Sequence, residues 1–269
     1  MGNVTEVDIE NLIKELKVNL SNKRINNILA PLKTLLKTAY RRKIITVNPI
    51  DGIGMLRVEK TEIRPLSMED VRSFLVSVDS HFRDYFEVAF FTGMRPSEQI
   101  ALKWDNIDFK RGKINVVDAR VMGEESSPKT VASRRSIDML PPVKAALERQ
   151  SEETFLSSPY VFISKKGNIV DIGNLRKRTW YPALEEAGLR RRIMYQTRHT
   201  FGTLMLSTGE NSSWIARMMG HTSVEMLFKK YSGYIPNITH QDGAIFMQKF
   251  YKDGHFLDTC NKKGLRTKS

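Results

Sequence analysis

Two arginines and one tyrosine stand where a chain could hold a phosphate and attack it. Arg95 lies in Phe91-Thr92-Gly93-Met94-Arg95-Pro96-Ser97-Glu98, which closes one apolar helical pattern and opens another. Gly93 suits the turn and Pro96 the first helical position, so Arg95 falls at a helix start, where free N–H groups and the dipole favour an anion. The alternative is a structural pair with Glu98. Arg198 lies in Met194-Tyr195-Gln196-Thr197-Arg198-His199-Thr200-Phe201-Gly202-Thr203. Phe201, Leu204 and Met205 can pack inward, leaving Arg198 on another face of the first turn, and a guanidinium there can pair with two phosphate oxygens at once. His199, about 100° further round the helix, reads as a buried, hydrogen-bonded histidine and not a catalyst. Gly220-His221-Thr222 looks like a helix cap and turn, with Thr222 and Glu225 as a capping box for the next helix. There Val224, Leu227, Phe228 and Tyr231 share one face, so spacing alone makes Tyr231 a core aromatic.

The elements that must position these groups are mostly helical. Val7 to Leu16 and Asn22 to about Tyr40 are helical patterns, the second capped by Ser21 and buried along Ile25, Ile28, Leu29, Leu32, Leu35, Leu36 and Ala39, with a bend or an irregular turn expected at Pro31. Residues 21–50 hold Lys23, Arg24, Lys33, Lys37, Arg41, Arg42 and Lys43 and no acidic residue, a one-sided charge that favours a polyanion. A turn at Asn48-Pro49-Ile50-Asp51-Gly52 leads into an extended linker, so the domain boundary is placed near residue 63, giving domains 1–63 and 64–269. Ser67 and Asp70 form a capping box for a helix carrying Val71, Phe74, Leu75 and Val78. Asp105 to Phe109, Lys113 to Asp118 and about Thr130 to Met139 read as strands, with Gly123 to Pro128 as a polar loop. Helical patterns return at Pro142–Arg149, Leu175–Ala187, Thr197–Leu206, Ser213–Met219 and Val224–Tyr231. The fold class is therefore mostly α with a small antiparallel β-sheet, an α+β arrangement.

Composition narrows the partners. Across 269 residues, 43 Lys plus Arg outweigh 30 Asp plus Glu, a formal charge of +13; such a balance suits phosphate neutralisation. The longest apolar stretch, Tyr85 to Phe91, is interrupted by Glu87 and falls short of the roughly 18 residues of a membrane span. Glu6, Asp8 and Glu10 contradict a secretory signal. One cysteine, Cys260, forms no intrachain disulfide. A cytoplasmic, nucleoid-associated protein without membrane contact is expected.

The order T-G-M-R-x-S-E, L-x-W, a sheet lysine, R-H-T-F, G-H and a tyrosine ten residues later resembles the tyrosine recombinase (phage integrase) family, over roughly residues 64 to 235. The resemblance implies that Arg95 and Arg198 clamp the phosphate, that Tyr231 is the nucleophile, that His221 hydrogen-bonds the scissile phosphate, that Lys129 is the hairpin general acid, and that Glu98 supports the first arginine. Lys110 and Lys113 are alternatives for the acid. Most members carry His where this chain has Tyr195; a phenol is a poor base near neutral pH, so Tyr195 would orient the phosphate by a hydrogen bond. The residues before 63 look like a short core-binding module of two helices where the family has about four, with Lys23, Arg24, Lys37, Arg41 and Arg42 facing DNA; an arm-binding domain is missing, which implies either a truncated chain or incomplete encirclement.

The implied reaction exchanges one phosphodiester for another through a 3′-phosphotyrosyl link, with no cofactor and no metal. The implied partners are double-stranded DNA and three further copies in a homotetramer on synapsed DNA, with a monomer in its absence. The tail, with Ile245, Phe246, Met247, Phe250 and Tyr251, either docks on a neighbouring protomer or covers its own domain. A type IB topoisomerase and a non-catalytic DNA-binding regulator on the same fold are the rival readings.

Overall fold

A computed structural model describes residues 4–58, 63–121, 124–126 and 134–234. They fall into two compact units that part between residues 62 and 63. Lys129 and the tail after Tyr234 lie outside the described residues.

The first unit is built on α1 (Glu6–Lys17) and α2 (Asn22–Arg41). Thr5 and Asp8 cap α1 reciprocally, and the Ser21 hydroxyl accepts from the Arg24 amide at the start of α2. Ile9 and Ile13 pack with Ile25, Leu29, Leu36 and Ile50. The Asn26 side chain, buried among them, donates to the Leu56 carbonyl at 2.8 Å and accepts from its amide at 2.9 Å, tying the segment after the turn back onto α2. Pro31 removes one helical hydrogen bond, yet α2 continues through it because Leu29 and Leu36 anchor the turns on either side. Leu35, expected in the core stripe, is 65% exposed: one neighbouring helix covers only a narrow face of α2, and Leu35 sits about 100° round from Leu36. Lys23, Arg24, Lys37, Arg41 and Arg42 are all exposed.

The second unit opens with α3 (Met68–Ser77), capped reciprocally by Ser67 and Asp70, then α4 (Ser80–Thr92) and the single turn α5 (Pro96–Gln99). Five short strands follow: β1 (Ile107–Asp108), β2 (Lys113–Val116), β3 (Ala119–Val121), β4 (Glu124–Ser126) and β5 (Arg135–Asp138). β1, β2 and β5 form an antiparallel sheet in that order, with Ile114 opposite Ile137. β3 and β4 pair separately, with Arg120 in register with Glu125. The sequence reading placed a loop at Gly123 to Pro128; Glu124–Ser126 is instead paired backbone. A ribbon without apolar alternation carries no strand signal. The strand expected from Asp105 shrinks to two residues because Trp104–Asn106 form a 3₁₀ turn that buries Trp104.

Helices complete the unit: α6 (Pro141–Thr154), α7 (Ile172–Leu175) running through a π turn into α8 (Tyr181–Glu186), α9 (Gln196–Ser207), α10 (Ser212–Met219) and α11 (Val224–Tyr231). α4 is the central rod, packed against α6 and α9. Phe74 meets Phe86, Phe90 and Trp180 at ring-centroid distances of 5.0, 5.6 and 4.7 Å, and burying each such ring contributes on the order of 2–3 kcal/mol. The Trp180 indole N–H donates to the Arg192 carbonyl at 2.7 Å. α9 is buried on nearly every side from Gln196 to Thr203. α11 is capped by Ser223, whose hydroxyl accepts from the Met226 amide, and not by Thr222 as its spacing with Glu225 suggested; Thr222 lies one residue further out and its hydroxyl points at the Met226 sulfur.

Candidate active site

Arg95 and Arg198 are brought together by the turn between α4 and α5. Gly93 ends α4 with φ +63°, a left-handed conformation that favours glycine, and a Cβ there would fall 2.5 Å from Cδ1 of Phe201. Its carbonyl accepts from Nη1 of Arg198 at 2.6 Å. The second arginine is thus fixed against the loop that carries the first. Arg198 is 1% exposed, and its Nε, also buried, has no hydrogen-bond partner among the described residues. Burial and the nearby Arg95 charge pull its pKa below the usual guanidinium value, opposed by Tyr195, Glu98 and Tyr231.

Glu98 organises the other guanidiniums. It is 3% exposed and receives the Arg95 backbone amide at 2.8 Å and Nη1 of Arg95 at 2.6 Å. From β5, Arg135 reaches the same carboxylate with Nη2 at 2.8 Å and Nη1 at 3.1 Å. Burial pushes the Glu98 carboxyl up, but the Arg135 hydrogen bonds and charge, with those of Arg95, hold it below the ordinary carboxylate range. The structural reading of Arg95 holds: one edge pairs with Glu98, while Nη2 extends to the Gly220 carbonyl at 3.5 Å. The sequence reading did not single out Arg135, which donates through Nε to the Met218 carbonyl at 2.9 Å and so joins the sheet to the end of α10. Its one available signal was its place in Ser133-Arg134-Arg135, within the stretch that reads as a strand.

His221 follows Gly220, the left-handed cap of α10 at φ +66°. Its ring lies parallel to that of Tyr231, 7° apart in plane and 6.3 Å between centroids. Its Nδ1 is buried without a partner among the described residues. Burial and the charges of Arg198, Lys230, Arg95 and Arg135 push its pKa down to about 4. Tyr231 is fully buried, and its hydroxyl lies 2.9 Å from Nδ1 of His199. Desolvation drives the phenol well above its usual value, against the pull of Arg198. The ring rests on Gly202, where an added Cβ would come within 3.2 Å of Cε2 and Cζ. His199 is also buried, and desolvation with the charges of Lys230 and Arg198 lowers its pKa to about 3. Tyr195, half-buried, meets the His199 ring edge-on at 5.0 Å.

Lys230 is the second residue that the sequence reading missed. Its Nζ sits 5.6 Å from the Tyr195 ring centroid and 6.0 Å from that of Tyr231, and partial burial with repulsion from Arg198 and Arg95 lowers its pKa. A cation immediately before the tyrosine was the signal. Lys113, one alternative for the general acid, is spent on an ion pair with Asp138 across the β2–β5 register. Beside His221 an open cleft of about 360 Å³ is lined by Arg134, Arg217 and Ser223 among others, a basic approach to the same site. Among the described residues no cluster of three His, Cys, Asp or Glu side chains is arranged to hold a metal ion, and no helix is long and apolar enough to cross a membrane.

Arginines from two helix starts, a histidine from a helix cap and a tyrosine from α11 thus share one buried centre, on a scaffold of helices around a small antiparallel sheet. The sequence model of the phage integrase family matches residues 61–234, and the chain belongs to that family. The chain is 29% identical over 246 residues to the prophage integrase IntR of Escherichia coli (strain K12), covering 82% of this chain and 60% of that one. Among solved structures it is similar to the Tn1549 transposon integrase in complex with a circular intermediate DNA, at TM-score 0.72 and 25% identity over 92% of this chain and 86% of that one. A lambda integrase tetramer bound to a Holliday junction shares the fold at TM-score 0.65 and 16% identity, over 83% of this chain and 66% of that one. The chain spans about 60% of the length of IntR.

Proposed function

We propose that the chain is a site-specific DNA recombinase that cleaves and rejoins double-stranded DNA through a 3′-phosphotyrosyl intermediate. The observation that carries this reading is the pair of buried polar atoms without a partner among the described residues, Arg198 Nε and His221 Nδ1, beside the Tyr231 ring. Buried polar atoms rarely go without a partner, and a phosphate oxygen would supply one. In this reading Tyr231 attacks phosphorus and releases a 5′-hydroxyl. Arg95 and Arg198 offset charge on the pentavalent transition state, each worth about 3 kcal/mol. His221 donates to the phosphate, Tyr195 orients it, Glu98 fixes Arg95, and Lys129 protonates the leaving oxygen. Lys23, Arg24, Lys37, Arg41 and Arg42 contact DNA phosphates. The likeness to a transposon integrase in complex with DNA and to a lambda integrase tetramer supports double-stranded DNA as substrate and four copies on synapsed duplexes; the proposal adds a monomer without DNA and a cytoplasmic, nucleoid-associated setting.

A duplex nicked near the cleavage site traps the covalent intermediate, because the short strand diffuses away. Wild type incubated with it in EDTA yields a denaturant-resistant adduct, and Tyr231→Phe yields none. An adduct surviving in Tyr231→Phe and lost in Tyr234→Phe moves the nucleophile; binding with no adduct in wild type rejects an enzyme in favour of a DNA-binding regulator.

A further inference from the structure

The cleavage step needs an acceptor for the phenolic proton, and the structure offers one that the sequence reading set aside. The Tyr231 hydroxyl touches a single side chain among the described hydrogen bonds, the His199 imidazole, at 2.9 Å from Nδ1. With the ring proton on Nε2, Nδ1 presents a lone pair to that hydroxyl. We propose that His199 is a catalytic residue, the proton acceptor for Tyr231. This assignment rests on Tyr231 being the nucleophile.

Three observations converge on it. The contact is buried at both ends, so no water competes for the proton. The imidazole is held: the Tyr195 ring packs on it edge-on at 5.0 Å between centroids. The phenol is held as well, on Gly202 below and against His221 beside it. Tyr195 cannot take the role, since a phenol brings a proton of its own, whereas His199, buried beside Lys230 and Arg198, stays neutral and keeps its lone pair free at working pH.

The step balances as follows. The Tyr231 Oη–H bond breaks and its proton passes to His199 Nδ1 while the Oη–P bond forms. The P–O5′ bond breaks, and O5′ takes a proton from a cationic acid, the role assigned to Lys129. Rejoining runs the same transfers in reverse, with the imidazolium returning its proton to the phenolic oxygen. Because an isolated phenolate beside a charged imidazolium would be costly here, the proton leaves as the oxygen bonds to phosphorus and not before.

The test compares wild type, His199→Asn, His199→Leu and His199→Gly in single-turnover cleavage of the nicked duplex, with DNA affinity and thermal melting measured on each. Asparagine places an amide near Nδ1 that can accept a hydrogen bond but not a proton. The expectation is a 10²–10⁴-fold loss of cleavage rate in both Asn and Leu variants, the usual worth of a general base, with DNA affinity within about threefold of wild type. Added imidazole restores His199→Gly in proportion to its concentration. Full activity in His199→Asn, or no response of His199→Gly to imidazole while it binds DNA and melts as a folded protein, overturns the assignment. If wild type forms no adduct, the recombinase reading fails; if Tyr231→Phe forms adduct, the nucleophile assignment beneath this proposal fails; if it forms none while the His199 variants cleave at the wild-type rate, only this proposal fails.

Discussion

Replacing Glu98 by glutamine leaves three guanidinium contacts and one backbone amide facing a neutral group. The side chain is nearly isosteric and 3% exposed, so little packing changes; what changes is charge. Arg135, 5% exposed at its side chain, loses the charge of the buried carboxylate it pairs with at 2.8 Å. Removing one partner of a buried ion pair costs about 3–5 kcal/mol. The amide oxygen retains part of the bonding, which places Glu98→Gln near the lower end, at about 3 kcal/mol. For a unit of this size each kcal/mol lowers Tm by about 2–4 °C, so thermal unfolding at pH 7.5 should show a fall of about 6–12 °C. The partner control is Arg135→Met, which removes the cation. With Glu98→Gln and Arg135→Met combined, the loss should fall short of the sum by at least about 1.5 kcal/mol, because both single variants break the same ion pair. A Glu98→Gln protein melting within about 2 °C of wild type, or strict additivity, refutes the claim that this carboxylate holds the two arginines in place.

Acid should weaken the fold well above the range where carboxylates titrate. His199 and His221 have pKa values of about 3 and about 4 against an ordinary 6.5; their folded values are depressed, so the stability they contribute is complete above about pH 7.5 and is lost as pH falls below 6.5, where the unfolded chain takes up protons that the fold refuses. At pH 5 this amounts to about 2 kcal/mol for His199 and less for the partly exposed His221, read as a drop in urea midpoint between pH 7.5 and 5.0 that shrinks in His199→Leu; equal midpoints would contradict it. Gly93→Ala combines left-handed strain with a Cβ set 2.5 Å from the Phe201 ring and should cost about 2–4 kcal/mol, with cleavage falling further than DNA affinity because Arg198 leans on the Gly93 carbonyl. Unchanged melting and cleavage in that variant would show the turn to be dispensable.

The helices were legible because their cause is local. Ser21, Ser67, Gly93 and Gly220 act within a few residues, and the apolar spacing of α2, α3 and α11 marks most of their buried faces, although Leu35 and Phe228, counted on those faces, are exposed. The β3–β4 ribbon was not, because its pairing answers to no apolar alternation, and the cap of α11 shifted by one residue because Thr222 and Ser223 offer the same chemistry. In the site, the order of motifs pointed to Arg95, Arg198, His221 and Tyr231, and the structure brings these four together. It could not show Arg135 or Lys230: nothing near either in the sequence says that Arg135 meets Glu98, 37 residues away, or that Lys230 turns toward Tyr195. His199 was read correctly as buried and hydrogen-bonded; its partner, 32 residues distant, was beyond any local rule.

The hydrogen bonds that hold the centre join residues far apart along the chain: Arg198 to Gly93 across 105 positions, Arg95 to Gly220 across 125, Arg135 to Met218 across 83. Contacts of such separation close late, since their loop entropy must be met before they return anything. Under the proposed function, a nascent or half-collapsed chain of this basic protein would adhere to a polyanion from its first helices onward. In the same reading, the means to break a strand arrives only with the last long-range closure, so cutting would be reserved for molecules that have finished folding.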